Sequence, residues 1–260
     1  MLYDPNSKKI KGRERLIEYR KAFQKNQTLK GETPQGEGEL NRDGNPITPP
    51  GQRVVKGWPV LDLGVTPELD ETTWNLTVSG LVKTVKTFNW EEFLKLPQTT
   101  DISDFHCVTT WSRLNNNWKG VKFSNIAEYC QVLPSAKFVY IKAWDGYSTN
   151  LPLEEAMKYD VLLVHQWENN PLPLEHGGPV RMITPQLYAW KGAKWIGEII
   201  FRDYDELGFW EKRGYSNTAE PWLSDRYAET IDLIDSAIKN YRTFSKMFYL
   251  IFLSKIFIAF

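Results

Sequence analysis

The spacing of apolar residues along the 260-residue chain changes several times, and each change marks out a short element. Between residues 13 and 24, Leu16, Tyr19 and Phe23 recur at helical spacing among charges, which predicts a short amphipathic helix. Residues 29–52, rich in Gly, Pro, Asn and Glu, have a composition that cannot bury itself. They predict a linker or an arm lying on the surface, with the folded body beginning at Arg53. Residues 73–82 alternate apolar and polar positions up to a glycine, as a strand and turn would. Residues 89–97 predict a short helix stopped by Pro97, and 102–107 a strand that delivers Cys107 to a loop. Residues 123–132 predict a helix with Ser124 as its N-cap. Residues 137–144 are rich in strand formers, 145–152 predict a loop through their Asp-Gly pair, and 153–158 one or two helical turns. Strands are expected at 160–167, 180–185 and 194–201, with a long turn over 169–179. Short strands and short helices without regular βαβ alternation predict an α+β fold with mixed β-sheets.

Two patterns close the chain. Ile231, Ile234, Ile238 and Tyr241 share one helical face, and residues 247–260 are apolar except where Ser254 and Lys255 interrupt them. A membrane-spanning helix takes ~20 apolar residues, and this tail is shorter. It is expected to pack on the body or on a second subunit, with membrane association as the alternative. The organisation that follows is an N-terminal helix and arm (1–52), a main domain (53–227) and a C-terminal helix with an apolar tail (228–260).

Composition narrows the partners. Lysine plus arginine and aspartate plus glutamate both number 32, a balance that argues against nucleic acid. The two cysteines, Cys107 and Cys130, are separated by most of the predicted helix 123–132 and are expected to be reduced thiols. The N-terminus shows no apolar signal segment and no twin arginine, so the expected location is the cytoplasm.

Cys107 is the first candidate for chemistry, as nucleophile, soft-metal ligand or buried apolar residue. As a nucleophile it would need His106 or His165 as base, and neighbours on a strand face opposite ways. Three histidines and a distant Cys130 do not make a zinc pattern. The second candidate is residues 176–195, where His176, Arg181, Lys191 and Lys194 gather around Gly177, Gly178 and Gly192. Glycines admit close approach of a ligand, and arginine and lysine suit a phosphate, so a phosphate-bearing cofactor fits. A strand and turn with a solvated basic face is the plainer alternative. Tyr147, Ser148 and Thr149 offer hydrogen-bonding groups to a polar ligand, unless they form only an exposed loop.

Taken together, "FHCVTTWS" (105–112), "WKGVKF" (118–123), "DGYSTNLPLEEAM" (145–157), residues 171–199 and "GFWEKRGY" (208–215) resemble the sulfite oxidase family of molybdopterin-binding oxidoreductases. The closest likeness is to its short bacterial and archaeal branch. The resemblance covers nearly all of residues 53–227 and implies the sulfite oxidase-type fold with one molybdenum held by one molybdopterin. It implies Cys107 as metal ligand, with Tyr147 beside it as a catalytic candidate. It further implies His106, Cys107, Thr109, Ser148, Thr149, His176, Arg181, Lys191, Gly192 and Lys194 as cofactor-binding residues. Oxygen-atom transfer to or from a small substrate is then expected, either oxidation of a sulfite-like oxyanion or reduction of an S- or N-oxide; the alternatives are a cysteine-nucleophile enzyme using Cys107 and a non-catalytic cofactor-binding module. No Cys-x-x-Cys-His haem motif occurs, so electrons are expected to pass through an external carrier. One departure bears on substrate: classical sulfite oxidases follow the ligand cysteine with Gly-Asn-Arg-Arg, whereas here Val108-Thr109-Thr110-Trp111 follows. The segment 58–70 is plain in composition, and the arginines that would recognise sulfite cannot be placed from sequence.

Overall fold

The structure is a computed structural model that describes residues 2–29 and 35–228. The expected C-terminal helix and apolar tail lie outside the described residues. In chain order the elements are α1 (Lys8–Leu29), β1 (Glu37–Leu40), β2 (Pro46–Thr48), β3 (Arg53–Val54), β4 (Asn75–Gly80), β5 (Lys86–Asn89), α2 (Trp90–Lys95) and β6 (Gln98–Cys107). They continue with β7 (Trp111–Lys122), α3 (Phe123–Cys130), β8 (Phe138–Ala143), β9 (Ser148–Pro152), α4 (Leu153–Ala156), β10 (Leu162–Trp167), β11 (Asn170–Pro171), β12 (Arg181–Ile183) and β13 (Ile196–Arg202).

One mixed sheet runs β5-β4-β13-β8-β9, with β4 and β13 parallel and the other pairs antiparallel. A second runs β11-β10-β7-β3, with β12 on β10 and β6 on β7. Leu76, Val78, Ile141, Ile199, Val121 and Leu163 join both sheets to Phe93 of α2 and Ile126 of α3 in one buried cluster. The period-2 alternation of β10 gives the second sheet two buried faces. Leu163 faces that cluster, while Leu162 and Val164 pack with Trp118 and Ile183 on the other side. Gly120 is required at the β7–β10 contact, because a Cβ there would lie 2.1 Å from the Leu163 carbonyl oxygen.

Several elements depart from the sequence expectation for local reasons. Within β7, Asn115-Asn116-Asn117 forms a bulge that the sequence expectation does not include. Asn115 takes a left-handed φ of 55°, the pairing with β6 shifts between Ser103 and Phe105, and the Asn116 amide donates to the carbonyls of Ser103 and Arg113. Ser124 is not a cap: α3 begins at Phe123 after Lys122, without a side-chain cap bond. The Asp145-Gly146 turn is followed at once by β9, so only the first part of 145–152 is a loop. α2, by contrast, has the expected helix with a full capping box between Asn89 and Glu92.

The largest correction concerns α1, which is longer than expected and reversed in its facing. Its buried residues are Ile10 and Ile17, while Leu16, Tyr19 and Phe23 are 40%, 70% and 54% exposed. The following arm lies on the surface, pinned by Arg42 to Asp101 (2.7 Å) and Asp160 (3.2 Å) and by Trp222 donating to the Pro46 carbonyl (2.7 Å). Among the described residues, no helix is long and apolar enough to cross a membrane.

Candidate active site

Cys107 ends β6 at a tight β6–β7 hairpin. It faces Trp111 in the register, and the Thr110 amide donates to its carbonyl (3.1 Å) with Thr110 in the left-handed region at φ 74°. This turn holds the buried sulfur at the floor of a cleft, with Sγ 3.1 Å from Thr109 Oγ1. Burial pushes the free thiol pKa up, and the Thr109 hydrogen bonds and the charges of Arg13 and Arg20 oppose it. The cleft encloses about 800 Å³ of space not filled by atoms, part of it open to solvent.

Around that floor, distant segments converge. The loop before β4 supplies Trp58 and Asp62, the β8–β9 turn supplies Asp145 and Tyr147, and residues 176–194 supply His176, Arg181, Gly192 and Lys194. Trp210 and Tyr215 close one side, and α1 contributes Arg13. Trp58 stacks on His176 with ring centres 3.9 Å apart and planes 5° from parallel. Burial and the neighbouring Arg181 charge lower the His176 pKa to about 4, so the ring is neutral near pH 7.

Arg181 is 3% exposed. Its guanidinium donates to the carbonyls of His176 (2.8 Å), Gly192 (3.2 Å) and Met182 (3.4 Å), and among the described residues it has no carboxylate partner. Burial lowers its pKa to about 9. Lys194 likewise donates to a carbonyl, that of Glu175 (2.7 Å), and lies over the Trp195 ring. Burial and Arg181 lower the Lys194 pKa to about 7. Burial raises Asp145 to about 6, against the Tyr147 amide that donates to its carboxylate (2.9 Å).

The glycines of this segment serve packing within the protein, which corrects the ligand-approach reading. Gly177, at φ 109°, passes so close to its neighbours that a Cβ would lie 2.8 Å from Lys194 Cβ and 3.0 Å from Arg181 Cβ. It thereby sets the two cations side by side. At Gly192 a Cβ would meet the Met182 carbonyl oxygen at 2.6 Å.

Of the residues expected at the site, Cys107, Thr109, Tyr147, His176, Arg181, Gly192 and Lys194 line one cleft. The others do not reach it. His106 points to the opposite face of β6, where Nδ1 meets Ser112 Oγ at 2.8 Å and burial lowers its pKa to about 3. Lys191 is fully buried against Glu211 at 2.8 Å, and the Thr149 hydroxyl donates to the same carboxylate (3.0 Å). Ser148 lies beside them at the start of β9, its carbonyl accepting from the Phe209 amide (2.8 Å). The Tyr147 hydroxyl donates to the Trp190 carbonyl. His165, the other candidate base, bonds Gln98 at 3.0 Å and packs among Trp90 and Phe93, away from the cleft. Sequence reasoning missed Arg13, Trp58, Asp62 and Asp145. Of these only Asp145 carried a local signal, the Asp-Gly turn beside Tyr147.

Comparison with known proteins fits this arrangement. The oxidoreductase molybdopterin-binding domain model matches residues 63–210. The uncharacterized oxidoreductase YuiH of Bacillus subtilis is 41% identical over 180 residues, covering 69% of this chain and 91% of YuiH. The catalytic subunit MsrP of the Ralstonia nicotianae protein-methionine-sulfoxide reductase is 31% identical over 153 residues, 53% of this chain and 46% of MsrP. Human mitochondrial sulfite oxidase is 32% identical over 72 residues, 27% of this chain and 13% of that enzyme. The crystal structure of the sulfane dehydrogenase SoxCD from Paracoccus pantotrophus shares the fold, with a TM-score of 0.52 at 22% identity, over 65% of this chain and 45% of that one. The chain belongs to the sulfite oxidase family of molybdopterin-binding oxidoreductases, enzymes that carry molybdenum on molybdopterin.

Proposed function

We propose that the cleft binds molybdopterin with its phosphate at Arg181 and Lys194, and that Cys107 ligates the molybdenum. The observation that carries this reading is the buried Arg181, a cation that hydrogen-bonds only to neutral carbonyls, lies over the Trp58 and Phe105 rings, and has no carboxylate partner among the described residues. A charge buried without a counterion is costly unless an anion joins it. A phosphate meets the guanidinium fork well, and Lys194 adds a second charge beside it. The donor set fits too. Cys107 offers a soft sulfur at the cleft floor, and among the described residues no group of three or more His, Cys, Asp or Glu gathers to hold a metal by itself.

When bound, the cofactor supplies two-electron redox chemistry and gives up or accepts an oxygen atom. The chain's own residues hold and shield it. The buried Cys107 thiol loses its proton on ligation, and Trp58 and Trp210 wall the site against water. Tyr147 keeps a neutral hydroxyl, its pKa raised well above the ordinary value by burial. That hydroxyl is engaged with Trp190, so its role here is to fix the cleft wall rather than to transfer a proton.

Two substrate classes fit. A sulfite-like oxyanion would take oxygen from water, releasing two protons and two electrons. A sulfoxide or N-oxide would take up two electrons and two protons and release water, and the name of the MsrP relative supports this direction. Either way an external carrier exchanges the electrons. A cysteine-nucleophile reading loses its bases, because His106 and His165 both lie outside the cleft. The test is turnover by protein from a molybdopterin-producing host, with sulfite and ferricyanide in one direction and methionine sulfoxide and reduced viologen in the other. Turnover in one direction, lost in Cys107→Ser, is the expected result. Stoichiometric molybdenum and pterin without turnover in either direction would contradict it.

A further inference from the structure

We infer that the chamber on the far side of β6 from Cys107 binds a small organic ammonium ion. This goes beyond the oxidoreductase reading, because the chamber and the cleft share no lining residue. The chamber encloses about 590 Å³ of space not filled by atoms, part of it open to solvent. The β1–β2 hairpin of the arm supplies Arg42, Asp43 and Ile47 to it, and β6 supplies Ser103, Asp104 and His106. Asp160 and Trp222 complete the lining that matters for charge and shape.

The chamber's charge is negative and largely unanswered. Among the described residues Arg42 is the one cation that lines it. That guanidinium is already engaged by Asp101 at 2.7 and 3.1 Å and by Asp160 at 3.2 Å. Asp104 accepts from the Asn115 amide (2.8 Å) and Asp43 from the Tyr159 hydroxyl (2.9 Å), and among the described residues neither has an ion pair. Burial raises the Asp104 pKa, opposed by the Asn115 bond and the Arg42 charge. A cation brought to this carboxylate would favour its charged form.

Three enclosed acceptors on the lining also lack partners. The Ser103 hydroxyl and Asp160 Oδ1 make no hydrogen bond, in residues 7% and 1% exposed. His106, 1% exposed, places Nδ1 on Ser112 and leaves Nε2 without a partner among the described residues. Burial keeps that ring neutral, so it repels no cation. An ammonium group has three donors and no acceptor, which suits a set of carboxylate, hydroxyl and imidazole acceptors. The Trp222 indole lies 5.3 Å from the His106 ring at 77° and offers a π face to the same charge. Ile47 and Pro185 add apolar contact for a short alkyl chain. A bare metal ion is poorly served, because among the described residues no three His, Cys, Asp or Glu gather to hold one. An anion would be repelled by Asp43, Asp104 and Asp160.

The experiment titrates propylammonium chloride into cofactor-loaded protein, against sodium chloride at equal ionic strength. Indole resonances are followed by NMR, and amide hydrogen exchange is measured over residues 41–47. Saturable binding is expected, with the Trp222 resonance moving while Trp58 and Trp210 of the cleft stay still. Exchange over 41–47 should slow at least about threefold, since the ligand ties the arm to the body. Affinity should fall at least about tenfold in Asp104→Asn, and propanol, uncharged at the same size, should bind at least about tenfold more weakly. Ile47→Trp fills the chamber from the arm and should weaken binding by about the same factor, which keeps the test decisive if Asp104→Asn does not fold. Absence of saturable binding, equal affinity for propanol, or equal affinity in either variant overturns the site. So do shifts at Trp58 and Trp210 in place of Trp222, which would put the ion in the cleft.

Discussion

Lys191 and Lys194 stand three positions apart in one basic segment, yet the fold sends them to opposite environments. Lys191 turns into the interior, where it meets Glu211 at 2.8 Å and the carbonyl and amide oxygens of Asn150 at 2.9 and 3.2 Å. Lys194 and its neighbour Arg181 turn into the cleft and bond only to backbone carbonyls. A buried cation with its carboxylate is complete and belongs to the scaffold. A buried cation without one is poised for an anion from outside, so the pairing of the charge, more than its place in the motif, separates support from binding.

The sharpest way to break this contrast is Lys191→Met. It strands Glu211 in a fully enclosed position and is expected to cost about 3–5 kcal/mol in denaturant unfolding. Pterin per folded chain should be unchanged. Arg181→Met should do the reverse: removal of an unpaired buried charge offsets the three carbonyls it leaves bare, so the cofactor-free protein loses clearly less stability than Lys191→Met, while retained pterin falls at least about tenfold. Equal stability losses in the two variants would erase the distinction.

A pH titration refines it further. As pH rises through about 6, Asp145 loses a proton and becomes negative, and through about 7 Lys194 loses its charge. Both steps subtract positive charge from the cleft, so sulfate affinity of cofactor-free protein should fall between roughly pH 5 and 8. Lys194→Arg should leave only the lower step. The smallest effect is expected from Tyr147→Phe, which removes the bond to the Trp190 carbonyl and should cost about 1 kcal/mol of stability. Turnover should stay within a few-fold, since the hydroxyl is assigned to the wall.

Much of this was legible in the sequence. Mixed short strands and short helices were readable from period changes, while the roles of Cys107, His176, Arg181 and Lys194 came from the family resemblance, since their residue types alone left plainer alternatives open. Strand alternation also anticipated that His106 and Cys107 face opposite sides of β6, but elsewhere the facing of side chains was not encoded locally. Ser148 and Thr149 looked like loop residues because Asp-Gly marks a turn, but the turn ends at once in β9, whose Thr149 joins the Glu211 network. The stripe of Leu16, Tyr19 and Phe23 predicted a buried face that the structure turns to solvent, since Ile10 and Ile17 supply the anchoring contacts. Arg13, Trp58 and Asp62 were invisible for a different reason. Each reaches the cleft through long-range packing, as in the stacking of Trp58 on His176, and no local spacing encodes that contact.

The most direct test of the central claim is molybdenum-edge X-ray absorption on loaded wild type and Cys107→Ser. The variant is expected to keep its pterin but to show one sulfur neighbour fewer at the metal, with an oxygen or nitrogen scatterer in its place. An unchanged sulfur shell in Cys107→Ser would contradict it, and would mean that the thiol at the cleft floor is not the metal ligand.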